Sequence, residues 1–128
     1  MQEYFGDYYD SMLRRCLKNA DAQALFLCYR PAATVTVGYA DGYSRLLSGK
    51  ADVLVKGKRC PIIGRICMDQ LVLDVSGAGD VKEGEIVTLI GKDGNEEITA
   101  DELASLYGTI GYEVVCGISK RVPRIYVD

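Results

Sequence analysis

The chain has 128 residues, 48% of them hydrophobic, which is enough for one buried core but short for two, so a single domain with an appended segment is expected. Its formal net charge of −3 is unevenly spread: residues 31–75 carry six Lys/Arg against four Asp/Glu and residues 76–117 carry two against nine, which argues against nucleic-acid binding but leaves room to hold one phosphate or carboxylate. No apolar run approaches the roughly 20 residues of a spanning helix, and Met1 is not followed by a signal-peptide pattern, so no membrane association and a cytoplasmic location are expected.

In residues 4–19, Tyr9, Met12, Leu13, Cys16 and Leu17 recur at helical spacing, with Asp10, Arg14, Arg15 and Lys18 between them; this predicts an amphipathic helix started by Asp7 or Asp10 and ending near Asn19. Residues 22–29 are apolar without a clear period and fit either helix or buried strand until Pro31 interrupts them. From Ala33 the pattern becomes β-like, with strands expected over residues 34–39, 52–55, 60–68, 71–75, 86–90 and 121–127. Lys56-Gly57-Lys58 and Lys92-Asp93-Gly94-Asn95 read as hairpin turns, and Gly77-Ala78-Gly79-Asp80 as a loop. Thr99-Ala100-Asp101-Glu102 is a capping-box signature opening a helix whose apolar face is Leu103, Leu106 and Tyr107; Gly108 and Gly111 end it, and residues 112–116 lead into the last strand. The expected fold is mainly β, a small antiparallel β-barrel-like domain with one capping helix over residues 31–128, preceded by an N-terminal helical segment, residues 1–30.

Chemistry is narrowed by what the chain lacks. Histidine is absent, so proton transfer near neutral pH would fall to a tuned Tyr, Lys, Cys or carboxylate, or to a cofactor. Five cysteines with no Cys-x-x-Cys pair argue against a disulfide framework and a zinc site. Gly38-Tyr39-Ala40-Asp41-Gly42-Tyr43-Ser44-Arg45 closes a β-branched run with a turn. Its two phenols, carboxylate and guanidinium suit a small anionic ligand, and equally an ordinary polar hairpin. In Arg65-Ile66-Cys67-Met68-Asp69-Gln70, strand alternation would set Arg65, Cys67 and Asp69 on one face, lining a cleft or forming an exposed ion pair beside a buried thiol. Tyr112, just beyond a helix, can donate to a phosphate oxygen or to a backbone partner. Lys120, Arg121 and Arg124 read as solvated strand-edge charges. No phosphate-binding or dinucleotide glycine fingerprint occurs.

Four ordered segments together resemble one family. They are residues 37–45, ending in Gly-Tyr-Ala-Asp-Gly-Tyr-Ser-Arg; residues 61–70, Pro-Ile-Ile-Gly-Arg-Ile-Cys-Met-Asp-Gln; residues 111–116, Gly-Tyr-Glu-Val-Val-Cys; and Arg121-Val122-Pro123-Arg124. In this order and spacing they resemble the C-terminal domain of alanine racemase over roughly residues 33–128. The resemblance implies a pyridoxal 5'-phosphate enzyme that interconverts L- and D-alanine, supplying D-alanine for peptidoglycan. It implies an N-terminal (β/α)8 barrel joined to this β domain, and a head-to-tail homodimer with each active site between one subunit's barrel and the other's β domain. It further implies that Tyr39 and Arg65 line the substrate corridor, that Met68 and Asp69 sit on a loop approaching the substrate carboxylate from the partner subunit, and that Tyr112 contacts the cofactor phosphate. In related serine racemases the last position tends to lose its tyrosine, so Tyr112 points toward alanine.

The chain also departs from the family. The lysine that bonds the cofactor belongs to the barrel and is not matched here. The second base, a tyrosine in a Tyr-Gly pair upstream of the first motif, is not found: the corresponding region reads Lys18-Asn19-Ala20-Asp21-Ala22, and Tyr29 is followed by Arg30. No catalytic base is therefore assigned, and the isolated chain is expected to be inactive. Two alternatives are a stand-alone, non-catalytic β-barrel binding or assembly module, and the racemase domain of a serine racemase.

Overall fold

The computed structural model describes residues 31–128. The helix expected over residues 4–19 and the unassigned run 22–29 lie outside them. Five antiparallel strands, β1 (Ala32–Val35), β2 (Asp52–Val55), β3 (Lys58–Ile63), β4 (Leu71–Asp74) and β5 (Val87–Thr88), form a curled half-barrel sheet in the order β1-β4-β3-β2-β5. A hairpin of β6 (Gly91–Asp93) and β7 (Glu96–Ile98) follows, then α1 (Ala100–Tyr107) and α2 (Gly111–Cys116). The curl has a local origin: the first four residues of β3 pair with β2, ending with Cys60↔Val53 and Pro61↔Asp52, while its last two pair with β4 through Ile62↔Leu73 and Ile63↔Val72. One strand is thus shared between two ladders at the proline, which donates to neither.

The β2–β3 connection is a hairpin turn as expected, shorter by one residue because Lys58 already belongs to β3. Lys56 and Gly57 both take positive φ, 51° and 72°, the paired left-handed conformation whose twist matches the flanking strands. Gly94 lies in the β6–β7 turn, and the two turns meet: the Gly57 amide donates to Asp93 Oδ2 at 2.9 Å. Val53, Leu54, Cys60, Ile62, Leu71, Leu73, Ile98 and Leu103 build the core. Burial pushes the Cys60 thiol up, with the Asp74 and Asp52 carboxylates adding to the effect, so it stays protonated. Among the described residues the sheet does not close between the edge strands β1 and β5, and Val35, Val55, Leu73 and Val87 line the open seam.

Several expectations change, beginning with the strand expected over residues 34–39, which ends at Val35. The strand expected over residues 60–68 stops at Ile63, because Gly64 turns with φ 71°, and residues 64–70 form a loop. Residues 112–116 are helical in α2 rather than an approach to a last strand, and residues 121–127 form no strand. The capping box is half made: Thr99 Oγ1 accepts from the Glu102 amide at 3.0 Å, but the Glu102 carboxylate turns to Arg59.

Arg59 ties three elements together. It donates to Glu96 at 3.0 Å, to Glu102 at 2.6 Å and to the Glu97 carbonyl at 2.6 Å, joining β3, β7 and α1. The Arg59 hydrogen bond holds the Glu102 carboxyl below its ordinary range. Arg59→Met is expected to cost about 1–2 kcal/mol at neutral pH, allowing for the partial solvent exposure of these groups. A carboxylate with a depressed folded pKa contributes stability above its unfolded value and loses it as pH falls through the folded one. Urea titrations should therefore show the gap between wild type and variant closing in acid, and a gap that persists there would assign the loss to packing.

Candidate functional site

The second and fourth motif segments, and the chain just after the third, converge on the turn at Gly38–Gly42. After β1 the chain enters a short 3-10 turn, Tyr39–Asp41, fixed at its start by the Gly38 amide donating to Asp41 Oδ2 at 2.9 Å and at its end by Gly42 in the left-handed region, φ 99°. The Tyr39 amide donates to the Cys67 carbonyl and the Ala40 amide to the Met68 carbonyl, each at 3.0 Å. This short ladder brings the first and second motifs together. Gly38 permits it, since a Cβ there would lie 2.2 Å from the Cys67 carbonyl oxygen. On the other side a Cβ at Gly42 would meet the Gly117 carbonyl oxygen at 2.2 Å, so the segment after α2 packs directly on the turn. The Ser119 amide completes that contact by donating to the Asp41 carbonyl at 2.9 Å.

The loop 64–70 carries three of the expected site residues and is held from inside. Ile66 is fully buried, and its amide donates to Ser48 Oγ at 2.9 Å, anchoring the loop to the 3-10 turn Arg45–Leu47. Arg65 and Asp69 flank this anchor, both exposed, and Met68 is 52% exposed. The strand alternation expected for Arg65, Cys67 and Asp69 is not realised. Asp69 does not pair with Arg65, and the Cys67 thiol is exposed rather than buried. Arg65 has no ion-pair partner among the described residues, which leaves its guanidinium available to an anion.

Asp69 instead accepts from Arg121 Nη2 at 2.6 Å, while Arg121 Nε reaches Asp41 Oδ1 at 2.9 Å. Sequence reasoning missed this residue by reading Arg121 as a solvated edge charge. Its only signal was its place in Arg121-Val122-Pro123-Arg124. Arg124 is likewise engaged, donating to the carbonyls of Ile118, Ser119 and Val122. Lys120 remains exposed.

The two tyrosines of the first motif part company. Tyr39 is 47% exposed, whereas Tyr43 is buried in the core and its hydroxyl finds no hydrogen-bond partner among the described residues. Burial, then the Asp52 and Glu102 carboxylates, push the Tyr43 phenol far up, so it is neither an acid nor a surface ligand. Tyr112, in the first turn of α2, is 83% exposed and its hydroxyl has no partner among the described residues. No group of His, Cys, Asp and Glu suited to a metal ion occurs among the described residues, nor any helix long and apolar enough to cross a membrane.

What the arrangement offers is groups suited to recognition: the exposed Tyr39 phenol, the exposed Arg65 guanidinium, the Asp69 carboxylate paired with Arg121 and the Met68 thioether, with the exposed Tyr112 phenol on α2. Comparison with known proteins gives this surface a context. The family model for the C-terminal domain of alanine racemase matches residues 28–126. Alanine racemase 1 of Clostridium acetobutylicum is 51% identical over 104 residues, 80% of this chain and 27% of that protein. The crystal structure of the Bacillus anthracis alanine racemase with bound L-Ala-P aligns with TM-score 0.71 and 50% identity, over 76% of this chain and 24% of the other. That of the Bartonella henselae alanine racemase, with covalently bound pyridoxal phosphate, aligns with TM-score 0.67 and 34% identity, over 75% and 27%. The chain spans about a quarter of the length of these relatives.

Proposed function

Because the chain belongs to the alanine racemase C-terminal domain family, we propose that it is the β domain of a pyridoxal-phosphate-dependent alanine racemase, completed by an N-terminal barrel and by a second subunit. The match of one family model across residues 28–126, nearly all the described chain, carries this reading. In it Tyr39 and Arg65 line the corridor through which the amino acid reaches the cofactor. Met68 and Asp69 approach the substrate carboxylate from the partner subunit. The assembled enzyme works in the cytoplasm on a small amino acid.

The residues present fit the cofactor as one contributor among several. The exposed Tyr112 hydroxyl, without a partner among the described residues, is a donor suited to a phosphate oxygen, and Tyr112 would hold the group there. Bound pyridoxal phosphate supplies an electron sink that makes an α-proton of alanine removable. This chain's side chains admit and orient the amino acid. The Arg65 guanidinium matches a carboxylate, and the Tyr39 and Met68 side chains narrow the approach to small substrates. The bases that move the proton lie outside the matched motifs.

A complementation assay tests the reading. The purified chain with pyridoxal phosphate and L-alanine should form no D-alanine. Adding a homologous fragment that carries the barrel, up to and including the Tyr-Gly segment, should restore racemisation. Robust racemisation by the chain alone would refute the domain reading, and silence of the mixture would favour a stand-alone binding or assembly module. Serine in place of alanine should be the poorer substrate.

A further inference from the structure

We propose that Arg121 is a positioning residue, a latch by which the C-terminal segment holds the loop 64–70 in register with the Tyr39–Asp41 turn and so sets substrate affinity. The proposal rests on the reading of Tyr39, Met68 and Asp69 as substrate-facing. Arg121 spans two carboxylates of different motifs: Asp41 at 2.9 Å, largely buried, and Asp69 at 2.6 Å, largely exposed and 52 residues distant in sequence. The arginine is itself fixed from behind. Its amide donates to Ser119 Oγ at 3.2 Å, the Ser119 amide is held by the Asp41 carbonyl at 2.9 Å, and Arg124 gathers the carbonyls of Ile118, Ser119 and Val122. A planar guanidinium with donors on separate edges suits such a bridge, and a lysine ammonium reproduces its charge without its reach.

The expected consequence is positional. An exposed ion pair adds little to global stability. Here, though, the pair joins the loop to the turn at a second point beside the ladder from Tyr39 to Cys67 and Ala40 to Met68. Without Arg121, Asp41 and Asp69 lose their shared cation and Asp69 faces an incoming substrate carboxylate with its charge unbalanced. Both effects act on binding of the substrate more than on the step that moves its proton, so KM rather than kcat should respond.

The test uses Arg121→Ala and Arg121→Lys in the full chain, with Asp69→Asn, which weakens only one arm, as the milder variant. In the chain alone, amide exchange of Tyr39 and Ala40 should quicken about tenfold in Arg121→Ala, less in the other two, with the Ile62 amide, bonded to the Ala51 carbonyl, unchanged as an internal reference. In the complemented enzyme, KM for L-alanine should rise about tenfold with kcat within about twofold, and Arg121→Lys should recover part of the loss. Unchanged protection at Tyr39 and Ala40 in every folded variant overturns the latch, as does a loss confined to kcat. If the exchange result holds while the complemented wild-type enzyme is silent, the latch stands as a feature of the loop and the racemase reading is what fails.

Discussion

Gly38→Ala should destabilise the domain by about 2–3 kcal/mol, lowering its melting temperature by roughly 10 °C, and should abolish complementation in the racemase assay. The cause is contact, not conformation, since Gly38 has an extended backbone with φ −153°. A methyl group there would lie 2.2 Å from the Cys67 carbonyl oxygen and 2.4 Å from that of Met68. Both are backbone atoms that accept the Tyr39 and Ala40 amides, so the clash can be relieved only by parting the two motifs. Gly77→Ala makes a matched control, because an added Cβ there meets nothing within 4 Å. Thermal melts of the two variants side by side decide the matter: equal, small shifts would mean that the turn and the loop are not in register as described.

Leu54→Ala should cost about 3–4 kcal/mol and Leu73→Ala distinctly less, although both side chains are fully buried. The penalty for such a truncation depends on how far the surroundings can relax or admit water. Leu54 lies in β2, enclosed between β3 and β5, whereas Leu73 borders the open seam between the edge strands. Urea titrations with a common m-value would measure the difference. Equal losses would show that the seam is effectively closed in solution.

Much of the fold was legible because local chemistry and tertiary packing agreed. The residues of β2 were read without error, the turns read over residues 56–58 and 92–95 are centred on Lys56-Gly57 and Gly94-Asn95 with Lys58, Lys92 and Asp93 taken into the flanking strands, and Thr99 marked the start of α1. Where the reading failed, a non-local contact decided. Residues 64–68 continue the apolar pattern of β3, but Gly64 and the inward anchor of Ile66 on Ser48 turn them into a loop. Val114 and Val115 have strand-like composition, yet they sit in α2, where Val114 is buried among the core residues. The motifs identified Tyr39, Met68, Asp69 and Tyr112 as residues to watch. Arg121 escaped because its partners, Asp41 and Asp69, come from distant parts of the chain and no local period points to them. Tyr43 misled for the opposite reason, as proximity in sequence to Tyr39 said nothing of the side its ring would take.

The division of β3 between two ladders has a kinetic corollary. Its first half closes on β2 across a two-residue turn, a hairpin that forms on the microsecond scale with little loop entropy to overcome. Its second half must wait for β4, and the recognition surface must wait longer still, since Gly38, Cys67, Gly117 and Arg121 are gathered from nearly the whole described chain. The order of assembly should therefore run from scaffold to surface, with the hairpin as the early nucleus and the Tyr39–Asp41 turn as the latest element to settle. The same order reversed should make that turn the first to open when the native state fluctuates, with the half-barrel behind it still intact.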